Sequence, residues 1–184
     1  IIFKDNSVAI VTGTETLVIE SNEGSQLKFY DGEGKVLDYS FRVEGERPTY
    51  RFNGTYKDYI IFEEGAVVTV YYKLSTKFRL LIMEDKTFNL VGLRGQLVSS
   101  IKKPEALVFA GRERLGSSRG YIWSRTLPLI KDAYIWGYGP DTYLLAFPQD
   151  DYIGKLRAFR EGIDMIVDKP HNMYLQIATN TGVL

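Results

Sequence analysis

The 184-residue chain contains no cysteine. Disulfides, thiolate nucleophiles, iron–sulfur clusters and cysteine zinc sites are therefore excluded. It contains one histidine, His171, so no multi-histidine metal centre can form and a single imidazole is available for acid–base work. Net charge is missing too, because 23 Lys and Arg balance 23 Asp and Glu. Without a global positive field, nucleic acid is not an expected partner, and any anion must be held by a local patch. No apolar run approaches the ~18 residues that would suggest a membrane-spanning helix. Phosphate-cradling glycine loops are absent as well, since Gly137-Tyr138-Gly139-Pro140 lacks their spacing and their strand-then-helix setting. The adjacent carboxylates Glu63-Glu64, Glu84-Asp85 and Asp150-Asp151 point apart in strands or helices and make poor glycosidase pairs. The chain opens on Ile1 and closes on Thr181-Gly182-Val183-Leu184 with no tail, so both ends read as cut from something longer.

What is present falls into two periodicities, predicting an α+β protein with a β-sandwich-like N-terminal half, residues 1–98, and a helical C-terminal half, residues 99–184. In the first, Thr16–Glu20, Gln26–Tyr30, Ser40–Val43, Thr49–Phe52, Tyr59–Phe62, Ala66–Leu74, Thr76–Met83 and Thr87–Val91 are rich in β-branched and aromatic residues. Asp31-Gly32-Glu33-Gly34 and Asn53-Gly54 separate such runs and supply residues that tolerate positive φ. Asn53-Gly54-Thr55 also fits a glycosylation sequon, but a type I′ hairpin turn explains it without further assumptions. Tyr50, Phe52 and Tyr56 around that turn are expected to form cross-strand pairs.

In the second half, Ser117 or Ser118 is expected to cap a helix through Tyr121, Ile122, Trp123, Leu127 and Ile130, with Pro128 distorting its last turns. A second helix is expected from Pro140, with Asp141 in its first turn, and a third over Asp150–Arg160. The last should start near Pro170-His171-Asn172 and run through Ala178. Lys102, Lys103, Arg112, Arg114, Arg119 and Arg125 face only Glu105 and Glu113, six basic residues against two acidic. That stretch is the plausible anion site, arginine being suited to pyrophosphate by its planar two-donor fork. Arg119 falls at a helix start, where free amides add attraction for an anion. Arg125, about 600° further round, points to a different face.

Three ordered blocks then carry a resemblance. Gly116-Ser117-Ser118-Arg119-Gly120-Tyr121-Ile122-Trp123, Ile135-Trp136-Gly137-Tyr138-Gly139-Pro140-Asp141-Thr142-Tyr143 and Lys169-Pro170-His171-Asn172-Met173-Tyr174-Leu175-Gln176 resemble the O-antigen ligase/polymerase family. There an Arg-x-x-x-Trp block is followed by a Gly-x-Gly block and later by His-Asn-x-x-Leu. The resemblance covers about residues 112–184. It implies the extracytoplasmic loop of a polytopic membrane glycosyltransferase at the bacterial cell membrane, joined to that membrane through flanking helices. The implied partners are an undecaprenyl-pyrophosphate-linked glycan donor and a sugar or lipid acceptor, with no cofactor and no metal. By the same analogy Arg119 and Arg125 hold the pyrophosphate and neutralise charge on the leaving group. His171 serves the acceptor hydroxyl as base or orienting group, while Tyr138, Tyr121 and Asn172 contact the acceptor or hold the site together. The β-rich half lacks these blocks and reads as an insertion, and the excised piece is not expected to be active alone. The competing reading is a non-catalytic carbohydrate-binding or envelope-assembly module in which aromatics of the β-rich half stack on sugar rings.

Overall fold

The computed structural model describes residues 1–13, 15–22, 26–45, 47–73, 76–109, 111–159 and 162–183. Leu74 and Arg160, the expected ends of a strand and a helix, lie outside these residues. The protein is α+β, with antiparallel sheets first and helices after. It divides into two compact units, Ile1–Ile101 and Lys102–Leu184.

The first unit holds two antiparallel meanders. One runs β1 (Ile2–Lys4), β2 (Ser7–Thr12), β3 (Glu15–Ser21), β4 (Leu27–Tyr30). The other follows chain order from β5 (Tyr39–Glu44) and β6 (Arg47–Phe52) through β7 (Tyr59–Glu64), β8 (Val67–Tyr72) and β9 (Thr76–Ile82) to β10 (Phe88–Val91) and β11 (Leu97–Val98). Alternation along the strands sends one set of side chains inward: Leu17 and Ile19, Leu27 and Phe29, Tyr59 and Ile61, Val68 and Val70, Phe78 and Leu80, Phe88 and Leu90 are all buried. The sheets meet through these faces. The Phe29 ring of β4 lies 5.0 Å from both the Tyr50 and Phe52 rings of β6 and 5.1 Å from Tyr39 of β5, and Thr12 shares a 2.7 Å hydrogen bond with the Tyr59 hydroxyl. Truncating a ring as enclosed as Phe29 costs about 3–5 kcal/mol.

Several expectations shift in detail. The run Val8-Ala9-Ile10 is buried on consecutive positions, so β2 shows no alternation to read. Asn53-Gly54 does not form a type I′ turn: Asn53 is extended (φ −103°) and leads into a 3₁₀ turn, Gly54–Tyr56, that carries the chain from β6 to β7. A type I′ turn needs positive φ at both central residues, and only Gly54 has it. The aromatic pairs form on the other side of β6 instead, where Tyr39 faces Phe52 and Phe41 faces Tyr50.

The second unit contains α1 (Leu115–Asp132), α2 (Tyr143–Ala146), α3 (Tyr152–Ala158) and α4 (Met173–Thr181). Its core gathers Tyr121 and Ile122 of α1, Tyr143 and Phe147, Ala158, Phe159 and Val167. The rings of Phe147 and Phe159 meet Tyr121 edge-on, at 5.9 and 5.4 Å. Pro128 lies inside α1 without ending it, because the chain continues in helix to Asp132. The carbonyl of Ser124, which Pro128 cannot serve, accepts instead from the Leu107 amide at 3.0 Å. The break in α1 comes at its start, where Gly116, Ser117 and Ser118 take successive left-handed conformations. Neither serine caps the helix, and the Ser118 hydroxyl donates to the Ala158 carbonyl at 2.6 Å. The second helix begins at Tyr143 rather than Pro140, since Asp141 has φ +58° and cannot sit in a right-handed first turn. No helix among the described residues is long and apolar enough to cross a membrane.

Candidate functional site

The left-handed turn delivers the chain into right-handed helix at Arg119, whose side chain is exposed. Four residues on, and so on the same helix face, the Trp123 indole Nε1 donates to the Pro170 carbonyl at 2.9 Å. The next residue after Pro170 is His171, exposed and left-handed at φ +51°. One hydrogen bond thus joins the helix face that carries Arg119 to the turn that carries His171. Neither side chain makes a hydrogen bond or ion pair among the described residues. A non-glycine residue in this conformation costs about 1–3 kcal/mol, which the surrounding structure must offset.

Asn172 has a definite local role. It is the N-cap of α4, extended at φ −151°, with its side-chain oxygen accepting from the Leu175 amide at 3.1 Å. The Gly-x-Gly block packs against the far end of the same helix. The Tyr138 amide donates to the Thr179 carbonyl at 2.7 Å and the Gly139 amide to the Asn180 carbonyl at 3.0 Å. A Cβ at Gly137 would lie on the Asn180 backbone, and one at Gly182 on the Ile135 carbonyl. These glycines permit close backbone approach, and the Tyr138 side chain is left partly exposed.

Arg125 is not brought to Arg119. It is 4% exposed, with its Nε donating to Asp151 Oδ2 at 2.8 Å and its Nη1 donating to Ser124 Oγ at 2.8 Å. Its guanidinium lies 4.9 Å over the Tyr121 ring. Asp151 also caps α3, Oδ1 accepting from the Gly154 amide at 2.9 Å. Arg125 is therefore a framework residue, and so is fully buried Tyr121. Burial, then the nearby Asp151 carboxylate, pushes the Tyr121 hydroxyl's pKa well up, and that hydroxyl has no hydrogen-bond partner among the described residues. Lys155 of α3 is also fully buried, its Nζ donating to Gln149 Oε1 at 3.2 Å. Burial pulls its pKa down to about 8 against the pull of Asp150, Asp151 and Asp164.

The basic patch is thus smaller than its sequence. Arg112, Arg114 and Arg119 remain exposed around the left-handed turn, with Arg114 Nε donating to the Arg157 carbonyl at 2.8 Å. No three acidic or histidine side chains converge on a metal-sized site among the described residues. Sequence reasoning missed the joint made by Trp123, although its i, i+4 spacing from Arg119 was the available signal.

Comparison with known proteins adds one finding. No curated protein and no solved structure matches the chain, but the family model described as O-antigen ligase matches residues 66–184. The match takes in all three blocks, and it begins before β8, inside the strand-rich unit. With well over half of its length covered, the chain belongs to the O-antigen ligase family.

Proposed function

We propose that this chain is the extracytoplasmic portion of a membrane glycosyltransferase that moves glycan from an undecaprenyl-pyrophosphate carrier to a sugar or lipid acceptor, with Arg119 and His171 as its reacting-site residues. Family membership supports glycan transfer as the activity. The observation that carries the residue assignment is the Trp123–Pro170 bond, which joins the helix that carries Arg119 to the turn that carries His171, two exposed residues whose side chains make no hydrogen bond or ion pair among the described residues.

In this mechanism the acceptor hydroxyl oxygen bonds to the anomeric carbon of the donor sugar. The bond from that carbon to the phosphate oxygen breaks, and its electron pair leaves on the pyrophosphate. Arg119 offers that leaving group a two-donor fork that stays charged at any working pH. His171 takes, or orients, the hydroxyl proton. Asn172 and Tyr138 hold the two ends of α4, and Arg125 and Tyr121 hold the helix beneath Arg119. The strands before residue 66 act as a scaffold added to the family region, which itself begins at β8.

The test is complementation by the intact parent protein carrying Arg119→Ala or His171→Asn, the latter chosen because asparagine tolerates left-handed backbone. At matched membrane abundance, surface glycan attachment or length should be lost in both. Normal glycan in both variants would reject the assignment.

A further inference from the structure

The strands of the first unit turn one set of side chains into its core, and the alternate set faces away. From β5 to β9 the register lays that second set out in rows. Arg42, Thr49, Phe62, Thr69 and Arg79 stand opposite one another from strand to strand, and Ser40, Arg51, Ile60, Tyr71 and Lys77 form the adjoining row. Arg42, Arg51, Lys77 and Arg79 are exposed, and neither row contains an acidic residue. The acidic residues of this face stand one row further on, both at Arg47: Glu44 is opposite it in register, and Glu64 forms a 3.7 Å ion pair with it. In a chain whose charges balance overall, the sheet register therefore gathers positive charge on one face.

Rings lie between these cations. Phe62 and Tyr71 are half-buried, their centroids 5.5 Å apart and their planes at 82°, and Lys77 Nζ is 5.7 Å over the Tyr71 ring. Neighbouring strands are about 4.8 Å apart, so Arg42 on β5 and Arg79 on β9 are separated by four spacings, roughly 19 Å. A small anion does not reach both, whereas an extended polyanion does. Guanidinium forks match carboxylates, and aromatic rings offer an apolar surface to the C–H side of a sugar. Two rings set nearly at right angles do not both present their faces to successive bases, which a nucleic-acid platform requires.

We propose that the outward face of β5–β9 binds an anionic glycan chain, with Arg42, Arg51, Lys77 and Arg79 on the carboxylates of its acidic sugars and Tyr71 and Phe62 against the sugar rings. The choice of a glycan among polyanions rests on the glycan-transfer reading of the family. The site gives the strand-rich unit a binding role apart from Arg119 and His171.

The experiment is calorimetric titration of the whole chain, at physiological salt, with a galacturonic acid hexamer. Its methyl ester, which keeps the rings and loses the charge, and hexathymidylate are the comparison ligands. Wild type should bind the acidic hexamer, with the ester and hexathymidylate each at least tenfold weaker. The double variant Arg42→Ser/Arg79→Ser should bind the acidic hexamer roughly tenfold or more weakly at an unchanged unfolding temperature. Tyr71→Thr, which retains a strand-favouring residue, should also weaken binding; if it unfolds, the arginine pair decides. Lys35→Ala, on the turn after β4, should bind as wild type. The proposal is overturned if wild type leaves the acidic hexamer unbound, if the ester or hexathymidylate binds as tightly, or if the arginine variant matches wild type. It is equally overturned if Lys35→Ala weakens binding as much as the arginine variant does. Binding in solution requires neither Arg119 nor His171, so this test and the complementation test fail separately.

Discussion

Among the described residues of the strand-rich unit, the non-glycine residues with positive φ are Lys73 and Lys86, both at hairpin ends where a ladder must reverse. In the helical unit they are Val108, Phe109, Ser117, Ser118, Asp141 and His171 among the described residues, of which Ser117-Ser118 lead directly into Arg119 and His171 itself carries the proposed chemistry. The contrast extends to side chains. The strands close their aromatic residues into a shared core around Phe29, whereas the helical unit leaves Trp136 and Tyr174 in the open. Among the described residues, one unit has its strain where topology demands it. The other holds strained backbone and unpartnered side chains at several points, and such features persist when the surroundings over-determine them.

The same contrast exists in miniature between Arg125 and Arg119, and substitutions there should break it most sharply. Asp151→Ala leaves the buried Arg125 charge without its carboxylate and removes the α3 cap, so chemical unfolding should register a loss of about 3–5 kcal/mol. Gly137→Ala forces a Cβ onto the Asn180 backbone at φ +63°. A loss of about 2–3 kcal/mol is expected by the same assay, and a neutral result would show that the Gly-x-Gly block does not need its close approach to α4.

Titration separates the units in another way. Unfolded lysine keeps its proton to about pH 10.4, while Lys155 in the fold holds it only to about 8. Between those values the unfolded chain binds more protons, so stability should rise with pH by up to ~1.4 kcal/mol per unit. Buried tyrosines oppose this higher up. Burial pushes Tyr59 to about 12, a contribution present below the ordinary tyrosine pKa and lost as pH climbs through the raised one. Urea midpoints from pH 8 to 10 should therefore climb in wild type and stay flat in Lys155→Met. Asn172→Ala removes one cap and should cost about 1 kcal/mol, measurable as a lower denaturation midpoint. Arg119→Ala should stay within about 0.5 kcal/mol of wild type, and a larger loss would mean that Arg119 has a structural partner after all.

Most of the strands were legible because inward positions repeat every second residue, as in Leu17-Val18-Ile19 or Phe78-Arg79-Leu80. Ser7–Thr12 was not, since its buried residues are contiguous. The α4 start could be read from Pro170-His171-Asn172, where an asparagine stands ready to cap. The α1 start could not, because Ser117 and Ser118 look like caps and instead adopt a left-handed path only three-dimensional context selects. Of the two candidate arginines, spacing showed only that they diverge. That Arg125 turns inward is decided by Asp151, 26 residues away, and a partner at that separation leaves no periodic trace.

The bond from Trp123 to the Pro170 carbonyl has one further consequence. An indole N–H carries no titratable charge, and here it reads the main chain rather than any side chain, so the joint is indifferent to pH and to the side chain at position 171 as long as that residue tolerates the left-handed backbone. Changing His171 to asparagine, which tolerates that backbone, should leave the two halves of the site in register, and an activity lost in that variant would report the missing imidazole itself.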